Sequence, residues 1–349
     1  MSSIPTIPGI ASAMIQTDRI NQHVLMTEGE GTPVIFIHGN CSSATFWEET
    51  MLRLPDGFIG IAPDQRGYGD TEPIVIDATQ GLDDMAADIL ALADKMGHEH
   101  FHLVGHSMGG NVVMKMALMA PTKILSMTLA APGSPYGYSG SKGANGETVF
   151  EDGAPAGGGA GNPDFVRMIA EKERGDSDQM APRNVMRAFY YKPPFVPERE
   201  EELLSSLLST KTGDDHYPGN FTPSDNWPGV APGTTGILNA LSRKYYDASG
   251  IADLDSKPPV LWIRGADDMI VADNAMFDVA ALGAMGAIPG HPGVDVCPPQ
   301  PMVEQTRAVL EQYAENGGEY KEVVLAETGH TPYIEKPEEF DQHFHTLLG

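Results

Sequence analysis

Short apolar runs alternate with amphipathic segments along the first 133 residues. The runs are rich in β-branched and aromatic residues, and they are PVIFIH at 33–38, FIGIAPD at 58–64, FHLVGHS at 101–107 and ILSMTLAAPG at 124–133. The amphipathic segments repeat apolar residues at helical spacing, and they are 82–96 and 111–120. Buried strands that alternate with such helices are typical of a parallel sheet covered on both faces. The pattern predicts an α/β fold with a mostly parallel central sheet and helices on both sides.

This alternation stops after residue 133 and returns near residue 258. The intervening residues, 134–249, are richer in Gly, Pro, Ser and charged residues. Strand-like runs then follow at 258–268 and 320–330, and each ends in a polar cluster. A long insertion between two strands of one sheet is able to fold over an edge of that sheet. We therefore predict a core domain formed by 1–133 and 250–349, with a cap (lid) formed by 134–249.

Residues 282–302, LGAMGAIPGHPGVDVCPPQPM, form a second irregular stretch that is rich in Gly and Pro. It is longer than most loops that join elements within a compact domain. We expect a functional or shape-determining role for it, and the sequence does not specify which.

The chain is strongly acidic. Its 22 Lys and Arg residues and 48 Asp and Glu residues give a formal net charge of −26, which is spread along the sequence. This charge opposes binding to nucleic acid and to anionic membranes. We expect a small-molecule substrate, with neutral or cationic molecules approaching more readily than anionic ones. Whether the chain forms a homo-oligomer stays open.

The sequence also bears on the cellular compartment. The first twenty residues have neither the basic start nor the long apolar core of a secretory signal or a spanning helix. The two cysteines, Cys41 and Cys297, are far apart in sequence and form no Cys-x-x-Cys pattern. We expect a cytoplasmic protein with free thiols.

Ser107 lies in GHSMGG at 105–110, between a strand-like run and a helix-like segment. A Gly-x-Ser-x-Gly sequence is informative only in this context, where Gly105 and Gly109 allow a sharp turn. Such a turn presents the hydroxyl at the carboxyl end of the sheet, the edge at which open parallel sheets bind ligands. The pattern predicts that Ser107 is a nucleophile.

A serine hydroxyl becomes a good nucleophile only when a base accepts its proton and a third group orients that base. The later strand-like runs lead into Asp267 and Asp268, and into His330, so these side chains reach the same predicted edge. The negative charge that develops on a substrate carbonyl oxygen also needs two donors. The backbone N–H groups of Asn40 and Met108 are placed to supply them.

These residues resemble the α/β-hydrolase superfamily, in its branch with a cap domain. The resemblance is carried by IHGN at 37–40, DQRGYG at 64–69, GHSMGG at 105–110, GADD at 265–268 and GH at 329–330. It implies an α/β-hydrolase fold with Ser107 as nucleophile, Asp268 as acid, His330 as base, and Asn40 and Met108 as oxyanion-hole donors.

The resemblance also decides which aspartate is the acid and whether a dehalogenase activity fits. It favours Asp268 over Asp267 as the acid, because this branch usually places the acid three residues after the glycine that ends the strand. Haloalkane dehalogenases share the His-Gly-Asn sequence and the cap, but they have an aspartate where this chain has Ser107. A serine cannot form their alkyl-carboxylate ester, so that activity is excluded.

Other polar residues have structural interpretations. His98, His100 and His102 alternate as metal ligands sometimes do, but no cysteine lies near them, and ordinary histidines at a strand edge show the same alternation. We expect no metal and no cofactor. His106 is expected to pack beside the turn, and Cys41 to line the pocket.

A serine triad with an oxyanion hole catalyses acyl transfer. The sequence therefore predicts hydrolysis of a carboxylic ester or lactone through an acyl-enzyme, on a small to medium apolar substrate that the cap shields from water. Two alternatives use the same triad, namely hydrolysis of a carbon–carbon bond in a diketone and cofactor-free perhydrolysis. A third alternative is a non-catalytic ligand receptor on the same fold.

Overall fold

The structure is a computed structural model, and it describes residues 2–349. The strands are β1 (Ile10–Gln16), β2 (Asn21–Thr27), β3 (Thr32–Ile37), β4 (Phe58–Pro63), β5 (Phe101–His106), β6 (Ile124–Ala130), β7 (Ser141–Lys142), β8 (Glu147–Thr148), β9 (Thr212–Gly213), β10 (Tyr217–Pro218), β11 (Phe221–Pro223), β12 (Val230–Pro232), β13 (Val260–Gly265) and β14 (Tyr320–Leu325). The α-helices are α1 (Glu48–Leu52), α2 (Asp83–Lys95), α3 (Met108–Met119), α4 (Pro163–Ala170), α5 (Pro182–Val185), α6 (Glu200–Leu208), α7 (Ile237–Ala240), α8 (Val279–Ala284), α9 (Met302–Glu315), α10 (Pro332–Glu335) and α11 (Pro337–Leu348). None of these helices, over residues 2–349, combines the length and apolar character needed to cross a bilayer.

Eight strands form one sheet in the order β1-β2-β4-β3-β5-β6-β13-β14. The pairs β1·β2 and β2·β4 are antiparallel, and the other neighbouring pairs are parallel. In the centre of the sheet, Ile35 of β3 pairs with Ile61 on one side and Leu103 on the other. The predicted α/β fold with a mostly parallel sheet is confirmed. The carboxyl ends of β3, β5, β13 and β14 therefore reach one common edge.

The central strands are buried on both faces, which explains their continuous apolar sequences. Ile35 and Ile37 belong to the core under α2, α3 and α9, whereas Val34 and Phe36 belong to the core under α1 and α11. Phe36, for example, contacts Phe344 of α11 with ring centroids 6.0 Å apart. The alternation of side chains along each strand thus supplies two apolar layers.

The predicted strands and helices of the sheet region are present, with shifted ends. The run at 258–268 is a strand only over Val260–Gly265, and the run at 320–330 only over Tyr320–Leu325. The helix predicted from residue 111 begins earlier, at Met108, directly after Ser107. The polar residues at the ends of these runs consequently lie in loops at the sheet edge.

Residues 134–249 contribute no strand to the eight-stranded sheet of the described chain. They contain α4–α7 and three two-stranded sheets. Their apolar side chains continue the main core, since Ile169 of α4 and Leu204 of α6 share a buried cluster with Val112 of α3. The predicted cap boundaries stay a prediction, and the shared core shows that this insertion packs on the sheet region through apolar contacts.

The irregular stretch at 282–302 is tied to the insertion by polar contacts. The buried Asp278 carboxylate, just before α8, accepts the Gln300 N–H and the Ser139 hydroxyl, both at 2.9 Å. The indole N–H of Trp227 donates to the Pro289 carbonyl at 2.9 Å. These contacts support a shape-determining role for the stretch.

Candidate active site

Ser107 occupies a strained turn between β5 and α3. Its φ of 54° and ψ of −123° lie outside the regions that residues with a side chain commonly adopt. Its N–H donates to the Ala130 carbonyl at 3.0 Å, and its carbonyl accepts the Gly110 N–H at 2.9 Å. Every other residue from Phe101 to Gly110 is buried, whereas Ser107 is only half-buried. The turn therefore presents this side chain at the carboxyl edge of the sheet.

Glycines allow the chain segments around this turn to touch. A Cβ on Gly105 would lie 2.3 Å from the Gly109 carbonyl oxygen, and a Cβ on Gly109 would lie 2.1 Å from the Ile37 carbonyl oxygen. A Cβ on Gly39 would lie 3.0 Å from the Ser107 Cβ. The glycines predicted to permit the turn are thus required by close backbone packing, and the loop after β3 lies directly against Ser107.

Asp268 and His330 are paired in the loops after β13 and β14. The Asp268 Oδ2 accepts a hydrogen bond from His330 Nδ1 at 2.8 Å, and both side chains are almost fully buried. The other carboxylate oxygen, Oδ1, accepts the N–H groups of Ile270 at 2.8 Å and Val271 at 3.0 Å. These bonds fix the orientation of the carboxylate, and the carboxylate in turn fixes the imidazole with Nε2 free.

Asp267, the alternative acid, faces away from His330. Its carboxylate is exposed and pairs with Lys192 Nζ at 2.9 Å. Lys192 also contacts Glu327. Of the two adjacent aspartates, the structure therefore brings only Asp268 to the histidine.

The backbone around His330 is held from two sides. The His330 carbonyl accepts a hydrogen bond from His106 Nε2 at 2.8 Å. On the other side, Glu335 Oε1 accepts the Gly329 N–H at 2.9 Å.

No hydrogen bond joins the Ser107 hydroxyl to the imidazole in the described chain, and such bonds often form only when substrate is bound. His106 links the two regions, since it neighbours Ser107 in sequence and its ring lies 4.7 Å from that of His330.

The two predicted oxyanion donors belong to segments that lie next to Ser107. Met108 is the first residue of α3, so its N–H has no carbonyl partner one turn earlier in the helix. Asn40 belongs to the loop after β3, which we call the oxyanion loop, residues 38–41. The Asn40 side chain accepts the Tyr68 hydroxyl at 2.7 Å and the Cys41 N–H at 2.9 Å. The Asn40 side chain is thereby engaged by Tyr68 and by the loop itself, which leaves its backbone N–H as the group available to a substrate oxygen.

Three buried side chains that support the site were not assigned this role from the sequence. Burial lowers the pKa of His106 well below its usual value, which keeps its imidazole neutral with Nε2 as the donor. The other two are Tyr190 and Glu335, which contact the loops on either side of the site. His106 could have been found from its position beside Ser107. Tyr190 and Glu335 carry no sequence signal, because their contacts are long-range.

The candidate metal ligands do not come together. His102 Nδ1 bonds with the Ser126 hydroxyl at 2.7 Å inside the sheet, while His98 and His100 precede β5 near the surface. Cys41 is buried, and this burial raises its thiol pKa to about 12. A thiol with so high a pKa is not a nucleophile at neutral pH.

Two neighbouring cavities open beside the insertion. One, of about 380 Å³, is lined by Asp268 and Met269 from the sheet region and by Phe189, Lys192 and other residues of the insertion. The second, of about 530 Å³, is lined by insertion residues, and it shares Phe189 with the first. Ser107 lines neither cavity. The surface near the histidine–aspartate pair is thus concave and largely apolar.

The structure brings together a strained serine, between a parallel strand and a helix, and a histidine–aspartate pair at the same sheet edge. This is the arrangement expected of an α/β-hydrolase site. A match to the family described as alpha/beta hydrolase fold covers residues 32–291. The chain belongs to this family, which confirms the resemblance and the α/β-hydrolase fold.

Relatives within the family include several kinds of hydrolase. The chain is 33% identical over 109 residues to 2-hydroxy-6-oxo-6-phenylhexa-2,4-dienoate hydrolase of Comamonas testosteroni, covering 30% of this chain and 38% of that protein. It is 27% identical over 277 residues to epoxide hydrolase A of Mycobacterium tuberculosis, covering 74% and 82%. Four of the curated relatives are matched over only 27–38% of their own lengths.

Solved structures show the same fold. An esterase from Exiguobacterium antarcticum aligns over 97% of this chain and 100% of that chain with a TM-score of 0.61. The identity is 16%, so this similarity concerns the fold alone.

Proposed function

We propose that the protein is a serine hydrolase that cleaves a carboxylic ester or lactone through an acyl-enzyme. The observation that carries this proposal is the hydrogen bond of 2.8 Å between His330 Nδ1 and Asp268 Oδ2. It lies at the sheet edge where the strained turn presents Ser107. A base held by a buried carboxylate beside an accessible hydroxyl is the requirement for nucleophilic catalysis.

In the acylation step, His330 Nε2 accepts the Ser107 proton while Oγ attacks the substrate carbonyl carbon. The carbonyl oxygen becomes negative, and the N–H groups of Asn40 and Met108 donate to it. The carbon–oxygen bond to the leaving alcohol then breaks, and His330 returns the proton to that alcohol. Asp268 stabilises the imidazolium throughout.

In the deacylation step, His330 Nε2 accepts a proton from water, and the resulting hydroxide attacks the acyl carbon. The same two N–H groups stabilise the second oxyanion. Collapse of this intermediate releases the carboxylic acid and returns the proton from His330 to the Ser107 oxygen. The enzyme is regenerated, so no cofactor is required by the chemistry.

The nucleophile favours a carbonyl substrate over an epoxide. Attack by a serine hydroxyl on an epoxide would leave an ether on Ser107, and water does not cleave an ether readily. Attack on an ester leaves an acyl-serine, which the activated water hydrolyses. Ser107 at this position therefore supports acyl transfer even though epoxide hydrolases occur among the relatives.

The concave surface beside Asp268 and the charge of the chain support a small to medium, uncharged and apolar substrate. The cavity that Asp268 lines, of about 380 Å³, has a volume in the range of small-molecule sites. A net charge of −26 opposes the approach of anionic molecules, of nucleic acid and of anionic membranes. We propose a small molecule as the partner. Because Cys41 and Cys297 are both free thiols, we also propose a cytoplasmic location.

The proposal is tested by treating the protein with a fluorophosphonate probe and by assaying p-nitrophenyl esters. Ser107→Ala should abolish labelling and lower kcat on the order of 10⁴–10⁶-fold, because the nucleophile is lost. The control is Ser126→Ala, which removes a buried hydroxyl that bonds to His102 away from the edge. Absence of labelling in the unaltered enzyme, or substantial turnover by Ser107→Ala, would contradict the proposal. Multiple turnovers would also exclude a receptor.

The similarity to the Comamonas testosteroni hydrolase favours a second candidate, hydrolysis of a carbon–carbon bond in a diketone. The same triad would serve, with a carbanion in place of the leaving alkoxide. Comparing kcat/KM for p-nitrophenyl esters and for ring-cleavage diketones distinguishes the two candidates. Preference for the diketone by a factor of ten or more would replace the ester assignment.

A further inference from the structure

One residue of the insertion contacts loops on both sides of the candidate site. The Tyr190 hydroxyl donates to the Cys41 carbonyl at 3.1 Å and lies 3.4 Å from the Asn40 carbonyl oxygen. Both carbonyls belong to the oxyanion loop. The Tyr190 backbone carbonyl, in turn, accepts the Thr331 hydroxyl at 2.8 Å. Because Thr331 follows His330 directly, Tyr190 connects the proposed oxyanion donor to the proposed base.

Lys192, two residues after Tyr190, strengthens this connection. The Lys192 N–H donates to Glu335 Oε2 at 2.7 Å, and the other oxygen of that carboxylate binds the Gly329 N–H at 2.9 Å. A Cβ on Gly329 would lie 2.6 Å from the Lys192 nitrogen, so the two backbones are in direct contact. Residues 190–192 are therefore fixed against the loop that carries His330, and Tyr190 has a rigid base from which to hold the oxyanion loop.

The local backbone explains how Tyr190 reaches both loops. Residues Met186–Tyr190 form a π-helical turn, which ends where Tyr191 becomes extended. Such wide turns are rare and occur frequently at functional sites. The Tyr190 side chain is buried, and this burial raises its pKa well above the usual value. The hydroxyl therefore stays protonated and acts as a donor at neutral pH.

The oxyanion loop contains a strained residue and is restrained from more than one side. The Gly39 carbonyl, which shares a peptide unit with the Asn40 N–H, accepts the Ser42 hydroxyl at 2.9 Å. Cys41 has a φ of 47°, in the left-handed region that is unfavourable for a residue with a side chain. A loop strained in this way relaxes if the bonds that hold it are lost. Relaxation would turn the Asn40 peptide, whose N–H is a proposed oxyanion donor, away from the substrate oxygen. The Tyr190 hydroxyl adds a second restraint against this movement, because it contacts the carbonyls of Asn40 and Cys41 on the other side of the Asn40 residue.

We infer that Tyr190 is a positioning residue, which fixes the Asn40 N–H relative to His330 and thereby makes transition-state stabilisation depend on the insertion. This inference rests on the proposed serine hydrolase function. It assigns to Tyr190 a role through the oxyanion loop and no contact with the reacting atoms.

The test is Tyr190→Phe, which removes the hydroxyl and keeps the ring and the backbone carbonyl. We expect kcat for a p-nitrophenyl ester to fall on the order of tenfold, with KM within about twofold of its original value. The effect is smaller than the 10²–10³-fold typical of removing an oxyanion donor, because the donor is displaced and not deleted. The rate of phosphonate labelling should fall with kcat.

The matched control is Tyr313→Phe. Tyr313 is also buried, and its hydroxyl donates to the Pro258 carbonyl at 2.5 Å, outside the site. This variant should lose a similar amount of thermal stability while keeping its kcat. A second test variant, Thr331→Val, breaks the other end of the connection. If the two bonds act as one unit, the double variant Tyr190→Phe/Thr331→Val loses less kcat than the product of the single losses.

The outcomes separate this inference from the proposed function. Unaltered enzyme that fails to react with the phosphonate contradicts the serine hydrolase itself. If the unaltered enzyme reacts, an unchanged kcat in Tyr190→Phe overturns the positioning role. A raised KM at unchanged kcat would also overturn it, because it would place Tyr190 in substrate binding. If Tyr313→Phe lost as much kcat as Tyr190→Phe, the loss would be a general effect of destabilisation, and the positioning role would be overturned.

Discussion

The sheet edge and the insertion contribute to the site in different ways. At the sheet edge, the N–H groups of Ile270 and Val271 hold the Asp268 carboxylate, and that carboxylate holds His330. In the insertion, Tyr190 is held by Thr331 and acts on Cys41, which are 141 and 149 positions away. The strand ends thus bring the reacting groups to one edge, where bonds between neighbouring loops hold them, whereas the insertion adds restraints from outside the sheet.

The largest effect that tests this difference is expected for the two adjacent aspartates. Asp268→Asn should lower kcat on the order of 10³–10⁴-fold, because an amide in this position disfavours the tautomer of His330 that leaves Nε2 as the acceptor. Asp267→Asn should change kcat less than about twofold, because Asp267 faces Lys192 of the insertion. Steady-state kinetics on one p-nitrophenyl ester measures both variants.

The aspartate pair is its own control, since the two substitutions are chemically identical and one residue apart. Thermal unfolding should show both variants folded at the assay temperature. Comparable losses of kcat in both variants would mean that the two aspartates act together and that the sheet edge and the insertion are not separable in this way.

Much of the sheet edge could be predicted from the sequence because strand order and loop position determine it. The central strands are continuous apolar runs, and each proposed catalytic residue directly follows such a run or lies within a few residues of one. The choice between Asp267 and Asp268 needed the family resemblance, because sequence position alone brings both to the edge. The structure shows which of the two contacts His330.

Other parts of the molecule could not be predicted. The antiparallel strand β1 has half-exposed residues with no continuous apolar run, so its sequence resembles a loop. Glu335 is a buried carboxylate whose partners, Gly329 and Lys192, come together only in the folded chain. Periodicity reports local burial, and it carries no information about contacts between distant segments.

A stability effect of intermediate size is expected at the serine turn. Gly109→Ala would place a Cβ 2.1 Å from the Ile37 carbonyl oxygen, which is backbone and cannot move aside. We expect the free energy of unfolding to fall by about 3 kcal/mol, the upper end for overpacking. Urea unfolding followed by circular dichroism measures this change, and esterase activity should fall with it.

Gly250→Ala is the control for this glycine. Its Cβ would meet only the Leu118 side chain, at an ordinary distance of 3.4 Å, and the backbone there is not in the left-handed region. The free energy of unfolding should change by less than about 1 kcal/mol, and an increase is compatible with reduced freedom of the unfolded chain. A Gly109→Ala variant as stable as Gly250→Ala would show that the packing at the turn is less tight than the structure indicates.

The smallest expected effect is a difference between the two regions in their dependence on pH. Burial lowers the pKa of His106 at the sheet edge of the folded chain. At pH values between this lowered pKa and the unfolded value of about 6.5, the unfolded chain therefore binds more protons than the folded chain. Stability is therefore lost as the pH falls below about 6.5, by up to about 2 kcal/mol at pH 5 for one imidazole that stays neutral. In the insertion, hydrogen bonding to Arg187 lowers the pKa of Glu200, so this contribution is lost only below the ordinary range of a glutamate.

Urea unfolding at pH 7.5, 6.0 and 5.0 measures this dependence. His106→Asn should reduce the loss of stability between pH 7.5 and 5.0, whereas His100→Asn, at an exposed position, should leave it unchanged. Glu200→Gln should likewise leave it unchanged over this range, because the carboxylate stays ionised in the folded and largely in the unfolded chain. If Glu200→Gln altered the loss of stability between pH 7.5 and 5.0 as much as His106→Asn, the buried imidazole would not be the main source of the sensitivity to acid.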